Sequence, residues 1–279
     1  KFLREFLMSK DFTEEFYKFV EKLRVGEHFS LSRFSDGEIR VLQDKKLILG
    51  NDDIVIGDHY NKHNWQRPIY EQKEYDPKKH FWVRDKLVEA LSFKKKGYYK
   101  GICCKCCLSG QHGMTTEEEF DFQLQLSGLK ENDEHLTWSN LLLNNNYPLF
   151  LEHMLPYFFN YDIIMVVNEH VNLDKVPFTV KKDFRIGNNC MVNDYDLINK
   201  IKDYIEKEKI ENHLFLFSAA SLSNFLNHQL YEFNDRNTYI DIGTTLNVFY
   251  GLQIDRRYLL GYWMGDQNGV QDLAKKCIW

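Results

Sequence analysis

Residues 195–242 read YDLINKIKDYIEKEKIENHLFLFSAASLSNFLNHQLYEFNDRNTYIDI, and this stretch decides the fold. Tyr195 to Glu208 reads as a helix and His213 to Ser218 as a strand. Ala219 to Tyr231 follows as a second helix, and Thr238 to Ile242 as a second strand. A helix between two strands returns the chain to the same end of a sheet, so this succession implies parallel strands joined by helical crossovers.

Working outward, the same alternation continues. Ile163-Ile164-Met165-Val166-Val167, within Asp162 to Asn168, is an unbroken apolar run that suits a strand buried on both faces. Val176 to Ile186 holds another strand, and Tyr98 to Cys104 one more, with strand-like flanks to Leu108. Pro77 to Leu91, Thr116 to Leu126 and Trp138 to Leu143 read as helices. Phe150 to Phe159 reads as a helix interrupted at Pro156. Residues 50–80 are polar and aromatic with little periodicity, which suggests a long functional loop. Near the start, Asp11 to Val25 is amphipathic, with Phe12, Phe16, Phe19, Val20 and Leu23 on one face. His28 to Phe34 reads as a short strand, followed by a helix through Leu42. No repeat or Gly/Ser linker interrupts the pattern. The expectation is therefore one α/β domain over 1–279, a Rossmann-like, mostly parallel sheet with helices on both faces. The chain lacks an initiator Met and stops abruptly at Cys277-Ile278-Trp279, as a domain cut from a longer protein would.

Composition narrows the function. The 279 residues are 43% apolar and 28% charged, values that support one sizeable core. The net charge is −5, and the only dense basic run, Lys94-Lys95-Lys96, reads as a solvated loop, so nucleic acid is not an expected partner. No apolar stretch approaches the roughly 20 residues that span a bilayer, and no signal-peptide pattern opens the chain. Four of the six cysteines crowd into Cys103-Cys104-Lys105-Cys106-Cys107. A Cys-x-x-Cys spacing invites zinc. Against it, Cys190 and Cys277 stand alone, and a strand would turn successive side chains to alternate faces. Reduced thiols with no metal and no disulfide are therefore expected, in a cytoplasmic protein.

In parallel sheets, ligands bind beyond the carboxyl ends of the strands, which gathers the residues after Phe34, Cys104, Val167, Phe217 and Ile242 around one crevice. At the first of these ends lies Ser32-Arg33-Phe34-Ser35-Asp36-Gly37-Glu38. Two carboxylates flanking a Gly can aim at one hard cation, Mg²⁺ or Mn²⁺, together with substrate phosphates, and Arg33 can add a planar fork. The plainer reading is a capping box, Ser35 with Glu38 three residues on, and spacing alone favours it. The two are compatible.

Leu31 to Glu38 resembles the Ser-Arg-Phe/Tyr-Gly-Asp-Gly-Glu signature of GT-D-type glycosyltransferases. Phe215-Leu216-Phe217-Ser218 before a helix, then Tyr239-Ile240-Asp241-Ile242-Gly243-Thr244-Thr245-Leu246-Asn247, are similar to the family's later strand–turn–helix and Asp-Ile-Gly elements. This chain has Ser35 for a Gly, Ala219-Ala220 for a Gly-rich turn, and Asn247 for an acid. The resemblance spans roughly 29 to 250. It implies Asp36 and Glu38 as ligands of Mn²⁺ or Mg²⁺ and as catalytic residues. It further implies a nucleotide-sugar donor, commonly a UDP-sugar, held around Arg33, Ser35, Gly37, Ser218, Asp241, Gly243 and Thr244. Transfer would be of a hexosyl or pentosyl unit to a glycan or glycoprotein.

Further residues read two ways. Glu169, after the buried strand, suits the general base of an inverting transfer, or is a solvated loop acid. Asp241 orients a ribose or sugar hydroxyl, or caps the following helix. Asn189, in Asn188-Asn189, contacts nucleotide or shapes a loop. Trp65 and Trp138 stack on a sugar or base, or belong to the core. His59, His63, His80 and His112 are too scattered for a metal site. The competing class is a nucleotide-binding or scaffold protein that kept the fold and lost catalysis, a reading the substitutions at Ala219-Ala220 and Asn247 keep open.

Overall fold

The computed structural model describes residues 10–62, 68–108 and 114–279. His63, Trp65 and His112 lie outside them. Helix α1 (Phe12–Arg24) starts where the Asp11 carboxylate accepts from the amides of Thr13 and Glu14, and it buries the phenylalanine face its spacing dictates. Strand β1 (Ser30–Arg33) runs into α2 (Asp36–Leu42). Strands β2 (Leu47–Leu49), β3 (Asp53–Ile56), β4 (His59–Lys62) and β5 (Lys73–Tyr75) then form a separate antiparallel sheet in the order β4-β3-β2-β5. The expected loop over 50–80 is thus corrected. Strands of three or four residues, partly exposed on both faces, are too short to leave a legible alternation.

The main sheet is built from β1, β6 (Tyr98–Ile102), β7 (Leu136–Trp138), β8 (Ile163–Asn168), β9 (Val180–Ile186), β10 (Leu214–Ser218) and β11 (Thr238–Asp241). Its order is β7-β6-β1-β11-β10-β8-β9, parallel throughout. Helices α3 (Phe81–Ser92), α4 (Thr116–Ser127), α5 (Leu197–Lys207) and α6 (Leu222–Phe233) cover one face with α2. The other face carries α1, the helical run 147–158 and α7 (Arg257–Met264), after which α8 (Gln267–Leu273) follows. Strand β10 shows why both faces need cover. Phe215 and Phe217 pack into the first layer, and Leu214 and Leu216 into the second.

Two local expectations are corrected, at Trp138 to Leu143 and at the end of β6, and the interruption near Pro156 is observed. Trp138 to Leu143 is not a helix, because residues 136–138 form the edge strand β7. Trp138 is fully buried and stacks on Trp279 at 4.6 Å, so of its two readings the core one holds. Within 147–158 the chain widens into a π-helical turn at Phe150–Met154, just before Pro156, which has no amide hydrogen to donate back into the helix. Strand β6 ends at Ile102 rather than Cys104, and Cys107 and Leu108 donate their amides to the Cys104 carbonyl in a turn. The cysteines after Cys103 therefore do not alternate across a sheet. No helix among the described residues is long and apolar enough to cross a membrane.

Candidate active site

From β1 the chain goes to β6 and β7 on one side, and it returns through β8, β10 and β11 on the other. The carboxyl ends of β1 and β11 therefore meet at a topological switch point, where parallel sheets open a crevice. The end of β1 is fastened from both sides. The Phe34 amide donates to the Gly101 carbonyl at 2.7 Å, and Asn224 Nδ2 donates to the Arg33 carbonyl at 2.9 Å. Arg33 itself is buried. Its Nε donates to the Ser139 carbonyl at 2.6 Å and its Nη1 to the Asp241 carbonyl at 3.4 Å, so it links three chain segments.

The chain then turns through Ser35 into α2. Glu38 is buried and fully engaged. One carboxylate oxygen accepts from the Ser35 amide at 2.9 Å, and the other accepts from the Ser221 hydroxyl. The first bond is the reciprocal half of a capping box, so the capping reading of this spacing is observed. Asp36, by contrast, is exposed at the first position of the helix. Two cations approach this turn that the sequence reading passed over. A Cβ built on Gly37 would stand 2.9 Å from Lys73 Nζ, so the ammonium of β5 lies directly over the glycine. Arg256 pairs with Glu71 at 3.1 Å and feels the charge of Asp36. Lys73 sits in the stretch without periodicity, and nothing local to it signals a site.

At the end of β11, Asp241 accepts from the Gly243 amide at 2.9 Å. Burial pushes its carboxyl up to about 6, against the opposing pull of the Arg33 guanidinium. Gly243 is required twice over. Its φ is +51°, and a Cβ there would lie 2.7 Å from Arg33 Nη1. Ser218 Oγ donates to the Gly243 carbonyl at 2.6 Å, and Thr244 Oγ1 meets the Tyr258 hydroxyl at 2.8 Å. Arg33, Ser218, Asp241 and Gly243 thus form one hydrogen-bonded group, and Thr244, next in the chain, is tied instead to Tyr258. Beside it, Ala220 takes φ +45°, a conformation that suits a glycine.

Glu169 and Asn189 stand apart from that group. Glu169 is exposed at the end of β8, where its amide donates to the Ile186 carbonyl at 2.9 Å and its carboxylate faces Gly187. Asn189 Oδ1 accepts from the Glu74 amide at 3.1 Å, so β5 spans from Asn189 to the turn at Gly37. His80 accepts from the Asp76 amide through Nδ1 at 3.0 Å, a structural role.

A solved structure described as a new glycosyltransferase (DUF1792) from Streptococcus sanguinis matches 92% of this chain and 91% of that one, with a TM-score of 0.52 at 12% sequence identity. This chain has the DUF1792 glycosyltransferase fold. A second structure, described as the highly conserved domain of unknown function 1792 with a distinct glycosyltransferase fold, covers 85% of this chain and 82% of that chain at 14% identity, with a TM-score of 0.47. No protein-family model and no curated protein matches the sequence. The fold implied by the GT-D resemblance is the one observed, although little sequence is shared.

In this DUF1792 fold, the donors at the turn suit a hard cation in a limited way. Such ions keep water and phosphate oxygens and need only one or two carboxylates. Asp36 is open to that role. Glu38 is held beneath it with both oxygens already hydrogen-bonded. Among the described residues, no third acid or histidine joins them in a ligand cluster.

Proposed function

We propose that this chain is a metal-dependent glycosyltransferase that moves a sugar from a nucleotide-sugar, a UDP-sugar by family resemblance, to a glycan or glycoconjugate acceptor. The observation that carries the reading is the placement of an exposed Asp36 at the β1–β11 switch point, flanked by Lys73, Arg256 and the bonded Arg33–Asp241–Gly243 group. The match to the Streptococcus sanguinis glycosyltransferase supports it at the level of fold.

A bound Mn²⁺ or Mg²⁺ would supply the positive charge that stabilises a departing diphosphate. Asp36 would hold such an ion, and Glu38 would orient the turn that presents it. Lys73 and Arg256 add positive charge on the solvent side of the same turn, where phosphates lie. Gly243 leaves room for the Arg33 guanidinium against the β11 turn, and Asp241 accepts a hydrogen bond from a ribose or sugar hydroxyl. Glu169 takes the acceptor's proton. It lies three strand spacings from β1, about 14 Å, which a donor laid across the strand ends spans.

Calorimetric titration of UDP-sugars with Mn²⁺ present tests the proposal. Asp36→Asn should abolish metal-dependent donor binding with no change in melting temperature. Glu38→Gln should weaken it and also destabilise the fold by about 1 kcal/mol, through the disturbed cap. Wild-type affinity in Asp36→Asn refutes the metal role. A second reading, a donor-binding protein without catalysis, draws on the full engagement of Glu38 and on Ala219-Ala220. Donor binding without hydrolysis or transfer to any glycan would favour it.

A further inference from the structure

The reason to expect metal-free cysteines was a strand through Cys104, and that strand stops at Ile102. The turn that replaces it, closed by the amides of Cys107 and Leu108 on the Cys104 carbonyl at 3.1 and 3.2 Å, gathers Cys104, Cys106 and Cys107. The segment after α8 brings up Cys277. The four sulfurs all lie within 4.8 Å of one another. Cys104 and Cys106 are 2.8 Å apart, Cys106 and Cys107 4.0 Å, and Cys107 and Cys277 3.7 Å.

We propose that Cys104, Cys106, Cys107 and Cys277 are the four ligands of a single structural zinc ion. The spacing is the first argument. A tetrahedral zinc with Zn–S bonds of about 2.3 Å sets its sulfurs about 3.8 Å apart, within the observed spread. A disulfide draws two sulfurs to about 2.05 Å, and none of these pairs is closed. An iron–sulfur cluster interposes iron and sulfide between the thiolates and needs them farther apart.

The surroundings are the second argument. Thiolate ligands carry excess negative charge and are stabilised by neighbouring donors. Asn140 Nδ2 donates to Cys107 Sγ at 3.3 Å, and Lys275 lies within the field of the same sulfur. Cys104 and Cys277 are 1% and 2% exposed, while Cys106 and Cys107 reach solvent. Two ligands are thus fixed in the core, and two form the way in.

Binding exchanges four S–H protons for four Zn–S bonds. The protons pass to solvent, and nothing is oxidised or reduced. The consequence is a clamp. The segment carrying Cys277 and Trp279, whose indole stacks on Trp138, is tied to the turn after β6. That turn starts at Cys103, whose Sγ lies 3.4 Å from Ser139 Oγ and 3.7 Å from the Phe34 carbonyl. The ion would therefore brace the β6 side of the switch-point crevice, whatever that crevice binds.

Elemental analysis of the full chain, purified in reductant without a metal resin, reconstituted with one equivalent of zinc and desalted, tests the assignment. One zinc per chain is expected, and chelator should lower the melting temperature. Cys190→Ser should keep the metal, whereas Cys104→Ser/Cys277→Ser should lose it. Because the double variant removes buried groups, cobalt(II) titration of the wild type provides a second readout. It should give intense tetrahedral d–d bands and the charge-transfer absorption of four thiolates. Failure of the reduced wild type to take up zinc or cobalt overturns the proposal. So does zinc retained by the folded double variant, or a non-reduced mass lower by two hydrogens per pair among these cysteines.

Discussion

Asp241→Asn should stabilise the protein in a way that depends on pH. In the native state burial raises the Asp241 carboxyl from 3.8 to about 6. A raised acid is one whose ionised form the fold disfavours. Its penalty is absent only at about pH 3 and below, where folded and unfolded chains both carry the proton. The penalty grows as pH rises toward 6 and is complete above it. The shift of about two pKa units corresponds to about 3 kcal/mol. Asparagine keeps the Oδ1 acceptor for the Gly243 amide and stands in for the protonated acid. Urea unfolding of both proteins at about pH 3, 5, 6 and 8 should therefore show a gain near zero at about pH 3 that rises to about 3 kcal/mol at pH 8. A gain independent of pH, or a loss at pH 8, would refute the claim that Asp241 is ionised at a burial cost. The same substitution should weaken donor binding if the acid is kept for function rather than stability.

Two further changes probe the turns around that acid. Ala220→Gly should raise stability by roughly 0.5–1 kcal/mol, because it removes left-handed strain of about 1–2 kcal/mol at an exposed residue and gives part of that back as chain entropy; an unchanged or lower urea midpoint would contradict the strain. Gly243→Ala should cost about 2–4 kcal/mol, since the new Cβ meets both a positive φ and the Arg33 guanidinium and loosens the bond to Ser139; a variant with wild-type stability would show that this turn relaxes freely.

Sequence alone determined the layered α/β architecture, because β8 and β10 are largely apolar runs, helices of clear period lie between the strands, and local pattern sets element type. It also determined the capping box at Ser35 and Glu38, a three-residue signal that the helix start realises directly. The short strands β2 to β5 left no such pattern, since three or four partly exposed residues complete too few alternations, and the three residues of β7, all buried, show no alternation at all. Only the tertiary structure decided which charges meet. Lys73 reaches Gly37 from another sheet, Ser221 binds Glu38 from another helix, and Arg33 fills the space that makes Gly243 obligatory. The same holds for the cysteines. Three of them are adjacent in sequence yet read as strand, and the fourth lies 170 positions beyond Cys107. Side-chain chemistry is written locally, but convergence of side chains depends on how the chain packs, which no window along the sequence contains.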